Sequence, residues 1–132
     1  MNPIPWQRPV RMLCGLTAAT LLVAAPLAAQ AETFPSKPVN FVVPFPPGGP
    51  TDAMARTLAV ALTEALGQSV IVENKSGAGG NIGADMVARA KPDGYTIMFG
   101  TSGPLAINQS LYTKISYDPA TSFAPIIRVG HL

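Results

Sequence analysis

Residues 39–66 predict a buried strand, a loop and an amphipathic helix in direct succession. Residues 39–43 are almost entirely apolar, as in a strand that is covered on both faces. Residues 44–50 contain four prolines and two glycines, which stop the strand. A leucine- and alanine-rich helix follows and ends at Gly67. Such a unit directs free backbone N–H groups and a positive helix end at one point, where a bound anion is stabilised without a catalytic side chain.

Strands and helices alternate along the rest of the chain. We predict strands at 39–43, 69–73, 95–99 and 123–129, and helices at 52–66, 81–90 and 105–113. The order β-α-β-α-β-α-β predicts an α/β fold with a parallel sheet and helices on both faces.

The first 31 residues have the features of a signal peptide. Arg8 and Arg11 precede an uncharged apolar stretch, and Ala29-Gln30-Ala31 matches a cleavage site. We therefore predict cleavage after Ala31, export to the periplasm, and one domain at 32–132. An uncleaved membrane anchor is the less favoured alternative, because the stretch is rich in alanine and threonine rather than in large apolar residues.

Removal of the signal peptide changes the charge of the chain. Seven basic and seven acidic side chains remain, and the single cysteine is lost. The absence of a basic patch argues against nucleic-acid binding. The exported part depends on no disulfide.

Three glycine-bearing loops, at 44–52, 74–81 and 100–104, each follow a predicted strand. In an open parallel sheet they meet at the carboxyl edge, where ligands bind at the topological switch point. A turn that only reverses the chain explains the first loop about equally well. Thr51 or Asp52 can cap the helix that follows. Asp52 has two interpretations: a helix cap, which is slightly favoured, or a partner for an ammonium or hydroxyl group of the ligand.

The other two loops fail the tests for known catalytic or nucleotide-binding motifs. The second has Ile82 where a dinucleotide fingerprint needs glycine, so a packing turn is favoured over an anion nest. The third has Pro104 where a nucleophile elbow needs glycine. The hydroxyls of Thr101 and Ser102 can bind a carboxylate or cap the next helix.

Residues suited to catalysis or metal binding are scarce. The single histidine, His131, supports no Ser-His-Asp arrangement, and no His/Cys cluster is present for zinc. We predict a binding protein without catalytic residues, cofactor or metal.

Several motifs together resemble the Bug family of extracytoplasmic solute receptors, related to the TctC-type binding proteins of tripartite tricarboxylate transporters. The motifs are FPSKPV at 34–39, VPFPPGGPTD at 43–52, VENKSGAGGNIG at 72–83, KPDGYT at 91–96 and GTSG at 100–103, followed by Asn108, Leu111-Tyr112 and Tyr117-Asp118-Pro119. The match runs from about residue 34 to residue 130, in order and with the expected spacing.

This resemblance implies a two-lobed, type II-like periplasmic-binding-protein (flytrap) fold, with 32–132 as the N-terminal part of its first lobe. It implies capture of a dicarboxylate, tricarboxylate, acidic amino acid or aromatic acid, and delivery to a transporter membrane component. The implied ligand-binding residues are Phe45, Gly48, Gly49, Thr51, Asp52, Thr101 and Ser102, with Asn81 as a weaker candidate.

Family members are longer and have a second lobe that closes over the ligand. We therefore expect a partial or truncated sequence in which the first lobe is incomplete. Two alternatives to a receptor are a fragment of an exported α/β hydrolase or transferase and an inactive remnant.

Overall fold

The computed structural model describes residues 33–130, in which three strands and three α-helices alternate. The elements are β1 (Val39–Val43), α1 (Pro50–Leu66), β2 (Val70–Asn74), a 3₁₀ turn (Ala78–Gly80), α2 (Asn81–Ala88), β3 (Thr96–Met98), a π-helical turn (Gly103–Ile107) and α3 (Asn108–Leu111). The predicted signal peptide and His131 lie outside the described residues.

Helix α1 begins and ends where proline and glycine are most suitable. Pro50 occupies the first helical position, where its missing N–H costs nothing. Gly67 ends the helix with φ of 65°, and its N–H donates to Thr63 O at 3.0 Å. The end of α1 is as predicted, but the predicted cap at Thr51 or Asp52 is wrong. Gly49 occupies the cap position because Pro50 already fits the first turn of the helix.

The sheet is parallel, in the order β2-β1-β3. The connection from β1 runs outward to β2, and the connection from β2 returns across β1 to β3. Because crossovers between parallel strands are right-handed as a rule, connections that run in opposite directions place α1 and α2 on opposite faces of the sheet. The predicted α/β fold with a parallel sheet is confirmed.

The core lies between β1 and α1. Phe41 and Val43 alternate along β1 towards Ala55 and Ala59 of the helix, and all four are buried. The small alanines allow α1 to approach the sheet closely. On the opposite face, Gly83 of α2 lies so close to the end of β1 that a Cβ there would be 2.8 Å from Lys75 O and 2.9 Å from Pro44 Cα.

The predicted fourth strand at 123–129 is wrong. These residues pair with no strand in the described part of the chain, and Ile126 and Ile127 are 78% and 79% exposed. Asp118 accepts hydrogen bonds from Ala120 N at 2.9 Å and from the Thr121 hydroxyl, so a turn directs the chain here. A β-branched sequence forms a strand only where a neighbouring edge supplies hydrogen-bond partners.

The other differences are small or local. The strand predicted at 69–73 lies one residue later, and the strand at 95–99 is shorter at both ends. Helix α2 begins at Asn81 as predicted and ends at Ala88 rather than at residue 90. The helix predicted at 105–113 is divided into the π-helical turn and α3, which begins at Asn108.

Candidate functional site

The three glycine-bearing loops leave the sheet side by side. Phe99 N donates to Val42 O at 2.9 Å, and Lys75 N donates to Val43 O at 2.8 Å. These bonds continue the strand pairing to the carboxyl ends of all three strands. The connection from β1 leads to β2 on one side of it, and β3 lies on the other side, so the topological switch point is expected between β1 and β3.

The N-terminus of α1 presents two backbone N–H groups beside the end of β1. Gly49 has no side chain to cap the helix, and Pro50 has no N–H. Ala53 N donates to Gly49 O at 3.0 Å. The N–H groups of Thr51 and Asp52 have no protein acceptor among residues 33–130. These two donors and the helix dipole favour an anion.

The loop before α1 forms an open depression of about 490 Å³, which is lined by residues 45–51. Gly48 has φ of 83°, a conformation that favours glycine. Its N–H donates to Asp52 Oδ2 at 2.9 Å, so a ligand would have to displace Asp52 to use it. Phe45 O accepts a hydrogen bond from Asn74 Nδ2 at 3.1 Å.

Asp52 is buried, and its carboxylate accepts hydrogen bonds from neighbouring residues of the protein. Its side chain is 5% exposed, and Oδ2 also accepts from Arg56 Nε at 2.9 Å. Asn74 Nδ2 donates to Oδ1 at 2.9 Å. The Arg56 guanidinium, followed by the Gly48 N–H and the Asn74 amide, holds the pKa of the Asp52 carboxyl well below its usual range. Asp52 is therefore ionised at neutral pH, and each of its oxygens has at least one donor.

The loop after β3 holds a buried hydroxyl without a hydrogen-bond partner. Within the described residues, Thr101 Oγ1 is inaccessible to solvent and has no partner. A Cβ on Gly103 would lie 3.6 Å from Gly79 O and 3.8 Å from Thr101 Oγ1. Ser102 is exposed, and its side chain does not cap the following turn. The alternative interpretation of this pair as helix caps is therefore not what the structure shows.

Asn81 joins the second loop to the third. Its Oδ1 accepts from Asn108 Nδ2 at 2.6 Å and lies 2.9 Å from Tyr117 Oη. Asn108 Nδ2 also donates to Gly79 O at 3.1 Å. Tyr117 Oη lies 2.8 Å from Pro104 O, and burial, with the nearby Asp85 carboxylate, raises the pKa of this phenol. The side-chain oxygen of Asn81 thus already accepts hydrogen bonds from within the protein.

Sequence reasoning missed the roles of Arg56 and Asn74 at the first loop, and those of Asn108 and Tyr117 at the third. The four-residue spacing between Asp52 and Arg56 was a usable signal, because such pairs meet on one helix face. Asn74 is 22 residues from Asp52, and no local pattern indicated that contact.

Residues 33–130 lack two further kinds of feature. No three His, Cys, Asp or Glu side chains there are grouped to hold a metal ion. None of the helices in that range has the length and apolar content that crossing a membrane requires.

A parallel sheet with three loops at its carboxyl edge is found in the α/β lobe of periplasmic binding proteins, and solved structures of this class resemble the chain. The chain superposes on the periplasmic binding protein BugD with a TM-score of 0.64 and 50% identity, covering 70% of this chain and 31% of BugD. MatC from Rhodopseudomonas palustris, solved with bound malate, gives a TM-score of 0.67 at 42% identity, over 70% and 31% of the two chains. Another R. palustris protein, solved with adipate, gives 0.65 at 48% identity, over 67% and 29%.

The family follows from the sequence comparisons. The family model for the tripartite tricarboxylate transporter family receptor (TctC) matches residues 54–131, and the chain belongs to this family of solute-binding receptors. Protein BugT of Bordetella pertussis is 46% identical over 117 residues. That match covers 88% of this chain and 35% of BugT, so the chain spans about a third of the length of this curated relative. The sequence-based resemblance to the Bug and TctC receptors is confirmed.

Proposed function

We propose that the chain is the whole or a part of an extracytoplasmic receptor, which captures a small carboxylate for uptake and does not transform it. The observation that carries the proposal is the set of donors at the switch point. The N–H groups of Thr51 and Asp52 lie beside one strand end, and the unpartnered Thr101 hydroxyl lies beside the neighbouring end. Backbone N–H groups and a helix dipole bind an anion without providing a nucleophile or a base.

We propose a dicarboxylate as the ligand class. Two similar structures carry malate and adipate, and each of these has a carboxylate at either end of a short chain. One carboxylate would accept hydrogen bonds from Thr51 N and Asp52 N. Thr101 Oγ1 is inaccessible to solvent in the structure, so it would join them only after the loop at 100–104 has moved. Ser102 is exposed and available to the same group. Phe45, Gly48, Gly49 and Asn81 would shape the surrounding surface, because their hydrogen bonds are made within the protein.

The location and the partner are parts of the same proposal. Members of the family are periplasmic binding proteins, which supports a periplasmic location. We propose that residues 1–31 are a signal peptide cleaved after Ala31, and that residues 32–132 form the N-terminal portion of the first lobe. A membrane component of a tripartite tricarboxylate transporter would then receive the ligand. The intact mass of the exported protein tests the cleavage, since an N-terminus other than Glu32 contradicts it.

Isothermal titration with malate, adipate and the uncharged dimethyl adipate tests the ligand class. We expect saturable binding of at least one diacid and none of the diester, because the helix N-terminus selects for negative charge. Circular dichroism establishes first that the purified protein is folded. Absence of diacid binding by the folded protein would overturn the proposal, and so would new signals from a reaction product in the NMR spectrum of the ligand.

A further inference from the structure

A buried carboxylate near the proposed anion site presents an electrostatic problem. Asp52 lies in the first turn of α1, and its own backbone N–H is one of the two donors that we assign to the ligand. An unpaired negative charge there would repel a bound anion. In the structure the charge is not unpaired. The Asp52 carboxylate accepts hydrogen bonds from the Gly48 N–H, Arg56 Nε and Asn74 Nδ2.

Asn74 makes this arrangement a closed network. Its amide nitrogen donates to Asp52 Oδ1 at 2.9 Å and to Phe45 O at 3.1 Å. Its amide oxygen accepts from Arg56 Nη2 at 3.0 Å. Asp52, Arg56 and Asn74, here called the Asp52 network, therefore connect the end of β2 with the first two turns of α1.

The Asp52 network holds the binding loop at two backbone atoms. One is the Gly48 N–H, which Asp52 binds directly, and the other is Phe45 O, which Asn74 binds. The residues between these atoms include Pro46 and Pro47, which have no N–H with which to make backbone bonds of their own. The loop that leads to Thr51 thus depends on side chains for its position.

We propose that Asp52 is a positioning residue that fixes the loop at 45–49 through Gly48 and Asn74, with Arg56 cancelling its charge so that the site remains attractive to an anion. This inference rests on the proposed function, since it assigns the loop a ligand. It differs from both sequence-based interpretations of Asp52. The carboxylate neither caps the helix from the cap position nor faces the ligand.

The Asp52→Asn variant tests the positioning role. An amide at this position cannot accept from all three donors, because one of its two polar atoms is itself a donor. We expect malate and adipate affinity to fall about tenfold, as expected for the loss of hydrogen bonds to a charged group. If Asp52 only repels the ligand, the affinity will rise. If Asp52 stabilises the fold without positioning the loop for the ligand, the affinity will not change. Either result would overturn the inference.

The Asp85→Asn variant is the matched control. Asp85 also accepts from an arginine four residues later, Arg89 Nε, at 2.9 Å, but it lies on α2 and binds no group of the first loop. We expect no change in ligand affinity. A loss equal to that of Asp52→Asn would show that the effect is general and would contradict the assignment.

The Arg56→Gln variant tests the charge role separately. It leaves the Asp52 carboxylate without its cation, so dianionic malate should lose about two- to fivefold in affinity, and a monoanion such as butyrate should lose less. The difference should shrink at high salt, which screens the repulsion. Equal losses for both anions at every salt concentration would refute the neutralising role of Arg56.

The Gly48 amide gives a readout that needs no ligand. In ¹H–¹⁵N spectra, Asp52→Asn should shift the Gly48 signal and speed its hydrogen exchange, whereas Gly67 at the far end of α1 should keep its signal. If the folded wild type binds no diacid, the proposed function fails, and the Gly48 amide still decides whether Asp52 holds the loop. An unchanged Gly48 amide in the variant would overturn the positioning role.

Discussion

Replacement of Thr101 by valine should change stability and ligand affinity in opposite directions. The substitution keeps the branched shape and removes the buried hydroxyl. Thr101 Oγ1 has no hydrogen-bond partner in the described part of the chain. The ligand-free protein therefore carries the desolvation cost of an unsatisfied polar atom, about 1–3 kcal/mol.

The valine variant removes that cost. We expect the free energy of unfolding of the ligand-free protein to rise by about 1 kcal/mol, the lower end of the range for such groups. For a domain of about 100 residues, this corresponds to an increase in Tm of roughly 4–8 °C. Differential scanning calorimetry and urea unfolding measure the change.

The same substitution should weaken ligand binding. A hydroxyl that donates to a carboxylate contributes about 1.5–3 kcal/mol, so the dissociation constant for malate or adipate should rise about tenfold or more. Isothermal titration measures this change. A stabilised protein with weaker binding is the expected pair of results, because binding sites commonly hold groups that are unsatisfied until the ligand arrives.

The control is Thr57→Val on the exposed face of α1. The Thr57 hydroxyl donates to Ala53 O at 3.0 Å, so its loss should change stability by less than about 0.5 kcal/mol and leave affinity unchanged. Two results for Thr101→Val would refute the argument. A lower Tm would mean that the hydroxyl is satisfied in the folded protein, and an unchanged dissociation constant would mean that it does not bind the ligand.

Three further substitutions test the structure around the site. Gly83→Ala should lower the free energy of unfolding by about 1–3 kcal/mol in urea, because the added Cβ would meet the backbone of Pro44 and Lys75 below 3.0 Å; a gain of about 1 kcal/mol, as helix propensity alone predicts, would contradict the close packing. Asn108→Ala should lower the free energy of unfolding by about 1–3 kcal/mol, since the buried amide donates to Gly79 O and Asn81 Oδ1; an unchanged urea midpoint would contradict a stabilising role for these two hydrogen bonds. Asp52→Asn should flatten the acid limb of the stability–pH profile. The folded pKa of Asp52 is lowered, so its stabilisation is fully present above the unfolded pKa of about 4 and is lost as the pH falls towards the folded value; equal acid sensitivity of both proteins in urea titrations from pH 7 to pH 2 would refute this.

Local patterns predicted β1 and α1 better than the elements after β3. The bounds of β1 and the end of α1 were predicted, because apolar spacing and Gly67 act within a few residues of sequence. The strand predicted at 123–129 failed, because β propensity does not supply the neighbouring edge that a strand requires. The cap of α1 was misplaced by two to three residues, since Thr51, Asp52 and Gly49 are all common cap residues.

The sequence by itself determined the alternation of strands and helices, the three loops at strand ends and the family resemblance. These properties depend on composition and spacing along the chain. Only the tertiary structure decided that Asn74 holds Phe45 and Asp52, and that Asn108 and Tyr117 meet at Asn81. It also decided that Thr101 keeps a buried hydroxyl without a partner. Hydrogen bonds between residues that are 22 to 36 positions apart depend on how the sheet and its crossovers bring the loops together, and no local pattern encodes that distance.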